Sequence, residues 1–289
     1  MKAIKEKIFK YLITTITVFS LLILSFIILF IFRESIIFFK EVSFIDFILG
    51  RSWNPLNSPD TLSIFPIILA TVYISIIGVL IALPLGIGNA VILSCYTQGN
   101  MKRLLRSIVD ILAGVPSVVY GFIGLLVLVK FFEESFLMPS GESVLAGGIL
   151  LSIMMLPFVI STCEESMNKI YENYLASSNS MGVSKSYMIR KLILPNSKRS
   201  IVAATVLALG RGMGETMAVM MVIGNSPIMP KVLGRAQTIP SLIALEMGMA
   251  EVGSMHYHGL FAAGFVLLVM LLVINIILYV IRAKLIYED

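Results

Sequence analysis

Residues 61–101 read TLSIFPIILATVYISIIGVLIALPLGIGNAVILSCYTQGNM, 41 positions without a charge. A bilayer-spanning helix needs roughly 20 apolar residues, so this run holds either one long kinked helix or two short ones. The choice reverses the orientation of everything after it. Cytoplasmic loops of membrane proteins are rich in Lys and Arg. With one crossing and a cytoplasmic N-terminus, segments 1–10, 98–107, 164–200 and 282–289 place 15 basic residues inside, against six outside (Arg33, Lys40, Arg51, Lys130, Lys231 and Arg235). Two crossings leave 7 inside against 14 outside. One crossing is therefore the reading.

Uncharged runs at 11–32, 111–129, 143–163 and 259–281 read as four further spans, and 200–230 is a sixth interrupted by Arg211 and Glu215. The expected fold is an all-α integral membrane protein of six transmembrane helices with both termini in the cytoplasm. Composition agrees: 58% of residues are apolar and only 13% charged, about half the share of a soluble domain. Lys2, Lys5, Lys7 and Lys10 resemble the start of a secretory signal, but the first run exceeds the roughly 7–15 residues of a cleavable core and reads as an uncleaved anchor. The net charge of +5 is accounted for by the inside bias. There is no basic stripe with interleaved aromatics, so no nucleic-acid partner is expected. Cys95 and Cys163 fall at cytoplasmic helix ends, where thiols stay reduced.

The segment 164–200 is polar yet patterned. Tyr171, Tyr174, Leu175, Met181, Val183, Tyr187, Met188, Leu192 and Leu194 recur at spacings of three and four, which predicts short amphipathic helices joined at Gly182 and lying along the membrane surface. Such a segment either presents a knob to the cytoplasm or packs on its own bundle. No Gly-x-x-x-x-Gly-Lys-Ser/Thr phosphate cradle occurs, so the chain does not hydrolyse ATP by that route.

If the fifth helix begins near Ser200, Arg211 lies about 17 Å along it, near the middle of a hydrocarbon core about 30 Å thick. Glu215 at i+4 shares its face. Charges at that depth are expensive and mark functional sites by default. One reading is an internal ion pair that pins the helix to a neighbour, helped by Gly210 and Gly214 in Gly-x-x-x-Gly spacing. The other is a substrate path, because a guanidinium makes paired hydrogen bonds to a tetrahedral oxyanion. Thr216 adjoins the pair. Pro84, Pro116 and Pro157 read as packing kinks in or near spans, with pore-lining breaks the alternative, and Ser117, Ser152, Ser161 and Thr205 either line a path or let helices approach. His256 and His258 would share one side of an extended segment, and only with Glu251 would they approach a metal site. No metal is expected.

Two stretches carry a family resemblance. Ala176-Ser177-Ser178, Gly182 and Leu194-Pro195 fall at the intervals of the cytoplasmic loop of ATP-binding-cassette importer permeases, Glu-Ala-Ala, three residues, Gly, nine residues, Ile-x-Leu-Pro. Leu192 stands in place of Ile, and the Glu is missing. Gly210-Arg211-Gly212-Met213-Gly214-Glu215-Thr216-Met217-Ala218-Val219, with Val222-Ile223-Gly224-Asn225, is similar to the phosphate-specific permease subunits of that class, the PstC type. Ser52-Trp53-Asn54-Pro55, Pro84-Leu85-Gly86-Ile87-Gly88, Pro116 to Gly121 and Ser241-Leu242-Ile243-Ala244 extend the likeness over roughly residues 50–283.

The resemblance implies a type I importer permease fold. It divides the chain into an anchor helix with the first external loop (1–60), a five-helix permease core (61–283) containing the coupling loop 164–200, and a short cytoplasmic tail (284–289). It implies a non-catalytic subunit that conducts phosphate across the bacterial cytoplasmic membrane past Arg211, Glu215 and Thr216. The loop carrying Ala176, Met181, Gly182, Val183, Leu194 and Pro195 would dock on the ATPase. The implied partners are a homologous second permease, two copies of a cytoplasmic ATPase that uses ATP and Mg, and an external phosphate-binding protein. No cofactor is implied for this chain itself. A permease for molybdate or sulfate is the near alternative, and a membrane enzyme or sensor the distant one.

Overall fold

The computed structural model describes residues 2–55 and 62–287, with side chains for 6, 7, 9–55 and 62–281. Positions 56–60 of the expected anchor segment and 288–289 of the expected tail lie outside the described residues. The chain is helical almost throughout. The elements are α1 (Lys2–Glu41), α2 (Phe44–Leu49), α3 (Phe65–Val91, running on into a π-turn Ile92–Tyr96), α4 (Gly99–Gly114), α5 (Ser117–Ile123, then a π-turn Gly124–Val129), α6 (Lys130–Phe136), α7 (Val144–Ser180), α8 (Lys185–Met188, then a π-turn Ile189–Ile193), α9 (Leu194–Asn196), α10 (Lys198–Met213), α11 (Met217–Met220), α12 (Ile239–Glu246) and α13 (Met255–Tyr287).

Four stretches are long and apolar enough to cross a bilayer unaided: Phe9–Glu41, Phe65–Tyr96, Val144–Ser180 and Met255–Ile281. Two bent pairs, 99–114 with 117–136 and 185–196 with 198–213, bring the number to six if each forms one span. The run at 61–101 holds one continuous crossing, with Pro84 inside the helix and no break at it.

Three boundaries differ from expectation. The helix in the third uncharged run starts afresh at Ser117 rather than running on from Ile111, because Pro116 holds Val115 extended and a residue before proline is pushed out of the helical region. Residues 111–114 instead finish α4, which meets the next helix at 93°. The fourth span continues to Ser180. At 1.5 Å per residue α7 is about 55 Å long, so about 25 Å of it, nearly half, extends beyond a core about 30 Å thick. The fifth span is not one helix over 200–230: α10 stops at Met213, a single turn follows at α11, and irregular chain leads to α12. Glycine at 210, 212 and 214 weakens the helix there.

The core is the packing of α3 against α7. Gly148 brings the backbones together, since a Cβ there would sit 2.4 Å from Ile77 Cγ2; small residues serve this purpose where both helix and lipid are apolar. Ala70, Ile74, Leu151, Met155 and Ala208 fill the seam between α3, α7 and α10. A second cluster joins Phe38, Phe47, Trp53, Ile239 and Leu260. Helix α1 leans on α13 through ring contacts such as Phe30–Phe261, 5.4 Å between centroids, and most of its surface remains exposed, as suits lipid contact.

Candidate functional site

Arg211 sits in the last turn of α10, where the negative end of the helix dipole favours a cation. Its guanidinium lies over the ring of Phe158 on α7, 4.3 Å from the centroid. The side chain is exposed on the isolated chain. Glu215 is beyond the helix end, so the i+4 relationship expected from spacing is lost. Its Oε1 accepts from the Ala218 backbone N–H at 3.4 Å, and no ion pair joins it to Arg211 among the described residues. Thr216 donates to the Gly214 carbonyl at 3.3 Å. All three residues therefore sit around one interruption of the fifth helix.

The glycine spacing also works differently from expectation. Cβ atoms at Gly210 and Gly214 would meet no other element of this chain. The close approach is at Gly212, where a Cβ would fall 2.2 Å from Met155 Cε. Gly210 and Gly214 thus flank Arg211 without packing on another element of this chain, while Gly212 packs α10 on α7.

The coupling segment begins as the protruding end of α7 rather than as a separate helix on the membrane surface. Ala176 is exposed, and Met181 at the tip is 78% exposed. Gly182 has φ +65, a left-handed conformation that L side chains rarely adopt. Its N–H bonds to the Asn179 carbonyl, while those of Met181 and Val183 bond to Ser177 and Ser178, which satisfies the orphan carbonyls of α7. Ser184 caps α8 by accepting from the Tyr187 N–H. The expected apolar face divides: Tyr171 and Met188 are buried, Leu175, Val183, Leu192 and Leu194 are half-buried, and Tyr174, Met181 and Tyr187 are exposed. Pro195, beyond that face, is half-buried.

The two histidines lie in the first turns of α13 rather than in an extended segment, and each has its own carboxylate. His256 Nε2 is 2.7 Å from Glu246 Oε2, which also accepts from Trp53 Nε1 at 2.9 Å. His258 Nδ1 is 3.0 Å from Glu34 Oε2 on α1, without the alignment of a hydrogen bond. Glu251 joins neither, and no cluster of metal-ligating side chains occurs among the described residues.

Sequence reasoning missed Glu164. It is 3% exposed on α7 and holds Lys102 at 3.3 Å and Arg106 at 3.0 Å, both from α4. Its place directly after the uncharged run 143–163, with basic residues at i and i+4 on α4, was the available signal. Phe158 and Tyr96 gave no such signal, because their partners are distant in sequence.

Residues 82–286 match the family model for the binding-protein-dependent transport system inner membrane component. The chain is 37% identical over 230 residues to the "Probable ABC transporter permease protein YqgH" of Bacillus subtilis, covering 79% of this chain and 74% of that one. It is 32% identical to the phosphate transport system permease protein PstC of Mesorhizobium japonicum, covering 77% and 73%. Among solved structures, an inward-facing MetNI methionine ABC transporter shares the fold with TM-score 0.62 at 16% identity, covering 79% of this chain and 99% of that one.

Proposed function

The chain belongs to the family of binding-protein-dependent transport system inner membrane components, and from that premise we propose that it is the membrane-spanning permease subunit of an ATP-driven phosphate importer. Phosphate is the cargo named for relatives such as the Mesorhizobium protein. In this chain the observation that carries the reading is Arg211: exposed, backed by an aromatic ring and not paired with Glu215. A guanidinium so held keeps its N–H donors for a tetrahedral oxyanion. An ionised Glu215 accepts hydrogen bonds only; phosphate near neutral pH retains a proton to donate, whereas sulfate has none.

On this reading the stretch at Gly210, Arg211 and Gly214 faces a homologous second permease, and the anion passes between the two chains. The subunit is non-catalytic. Two copies of a cytoplasmic ATPase, using ATP and Mg, grip the tip around Met181 and Gly182, and an external phosphate-binding protein delivers the cargo. The chain sits in the bacterial cytoplasmic membrane with both ends inside. Closure of the ATPases drives alternating access past Arg211.

The test is uptake of radiolabelled phosphate into vesicles holding the complete transporter, with ATP, against sulfate and molybdate. Phosphate accumulation that Arg211→Gln lowers at least tenfold is expected. Accumulation of sulfate or molybdate in its place would reassign the cargo, and undiminished uptake by Arg211→Gln would remove the residue from the path.

A further inference from the structure

Two tyrosines from different helices close on one lysine of the coupling segment. Lys185 opens α8, and its Nζ lies 4.8 Å from the Tyr96 ring centroid and 5.7 Å from that of Tyr171. Both are within the roughly 6 Å reach of a cation–π contact. Tyr96 is the final residue of the π-turn that ends α3, and Tyr171 stands on the protruding part of α7. A π-turn takes in an extra residue, which shifts the side chains beyond it around the helix, and such turns recur at functional positions. A second π-turn, Ile189–Ile193, follows α8 directly. Met188, Ile189 and Ile193 are buried in the same cluster as Cys95, Met167 and Tyr171. The coupling helix therefore rests on an apolar floor and is clipped at its first residue to the ends of α3 and α7.

We propose that Lys185 is a positioning residue for coupling, and that the Tyr96–Lys185–Tyr171 clasp passes displacement of the tip to α3 and α7, the two helices that form the core. Apolar contact is non-directional and tolerates sliding. A cation held against two ring faces fixes one end of α8 to both helices, so a push at Met181 and Gly182 turns them together. Since α10 packs on the same pair through Gly212 and Met155, the motion reaches Arg211. The inference rests on the transport reading above for its cycle, while the clasp itself stands on geometry.

The test uses the complete transporter in vesicles and reads phosphate moved per ATP hydrolysed. Lys185→Met should leave the ATPase co-purifying in normal amount and still hydrolysing ATP, with the ratio lowered about threefold. Lys185→Arg, which also stacks on aromatic faces, should keep the wild-type ratio. Where Lys185→Met fails to assemble, the Tyr96 ring, 57% exposed, carries the test: Tyr96→Phe should match wild type and Tyr96→Leu should not. A wild-type ratio in Lys185→Met or in Tyr96→Leu overturns the proposal, as does an equal loss in Lys185→Arg. Should the intact transporter move no phosphate, the cargo assignment falls. The clasp is then read from ATP hydrolysis by the permease–ATPase complex relative to free ATPase, which Lys185→Met should shift toward the free enzyme and which an unshifted value would contradict.

Discussion

The guanidinium of Arg211 lies over the Phe158 ring, 4.3 Å from the centroid, while the carboxylate of Glu215 accepts from the Ala218 backbone N–H. A carboxylate partner would occupy the N–H donors of the arginine. A ring offers no acceptor oxygen and leaves those donors for a passing anion.

Phe158→Leu keeps an apolar side chain but removes the quadrupole. Cation–π contacts contribute about 0.5–2 kcal/mol, so the initial rate of phosphate uptake should fall by about 2- to 30-fold at constant amounts of assembled complex. Phe158→Tyr should stay near wild type, and Arg211→Lys should be slower than wild type because an ammonium lacks the fork. An unaltered rate in Phe158→Leu would mean that the ring does not position the cation.

Glu164 ties α4 to α7 through Lys102 and Arg106. Glu164→Ala removes the shared carboxylate, leaving Arg106 without this partner and Lys102 with only its hydrogen bond to Asn168. Arg106 is 55% and Lys102 26% exposed, so water relieves part of the loss, and a cost of about 2 kcal/mol is expected. The purified protein should melt at a lower temperature. A double-mutant cycle with Arg106→Met should give a coupling energy of about 1 kcal/mol; a value near zero would make the pair a surface contact without consequence.

Legibility in the sequence followed the range of the physics involved. The single crossing within 61–101 is readable because its length and the distribution of basic residues both reflect the cost of charge in a bilayer. Arg211 stands out in the sequence for the same reason. Its contact with Phe158 does not: spacing points to Glu215, and only if the helix continues, whereas the chain after Met213 is held by distant pairings. The Val144 N–H bonds to the Gly234 carbonyl, and the Ala236 N–H to that of Ile223. Likewise the periodicity of 164–200 is real, but a local pattern does not reveal that its first half extends α7. The pairing of His256 with Glu246 and Trp53 depends on three separate segments meeting.

Because His256 and His258 engage different carboxylates, zinc or its removal should not matter. Addition of zinc chloride at a few equivalents, or of EDTA, should leave the melting temperature of the purified protein unchanged. Glu246→Gln, by contrast, weakens two hydrogen bonds to a charged acceptor, worth about 1.5–3 kcal/mol each, and should loosen the cluster around Trp53. Tryptophan fluorescence reads this directly, since Trp53 is the sole tryptophan: a red shift is expected, and an unmoved spectrum would show that the bond to Glu246 does not order the ring.

Gly182 turns the chain from α7 into α8 with φ +65 and with no atom within 4 Å of the place a Cβ would take. The cost of substitution is therefore conformational and not steric. Gly182→Val, β-branched and poorly suited to the left-handed region, should strain the turn by about 1–2 kcal/mol. Gly182→Asn should be nearly neutral, because its side chain tolerates that region. The site is a solvent-facing tip far from the α3–α7 seam, so the melting temperature of the membrane bundle should barely change in either variant. The effect should appear where the tip meets the ATPase: weaker co-purification and slower ATP-driven uptake for Val, and wild-type behaviour for Asn. Loss in both variants alike would mean that the ATPase requires the absence of a side chain at 182 and not merely its backbone angle, and loss in neither would separate this turn from the docking surface.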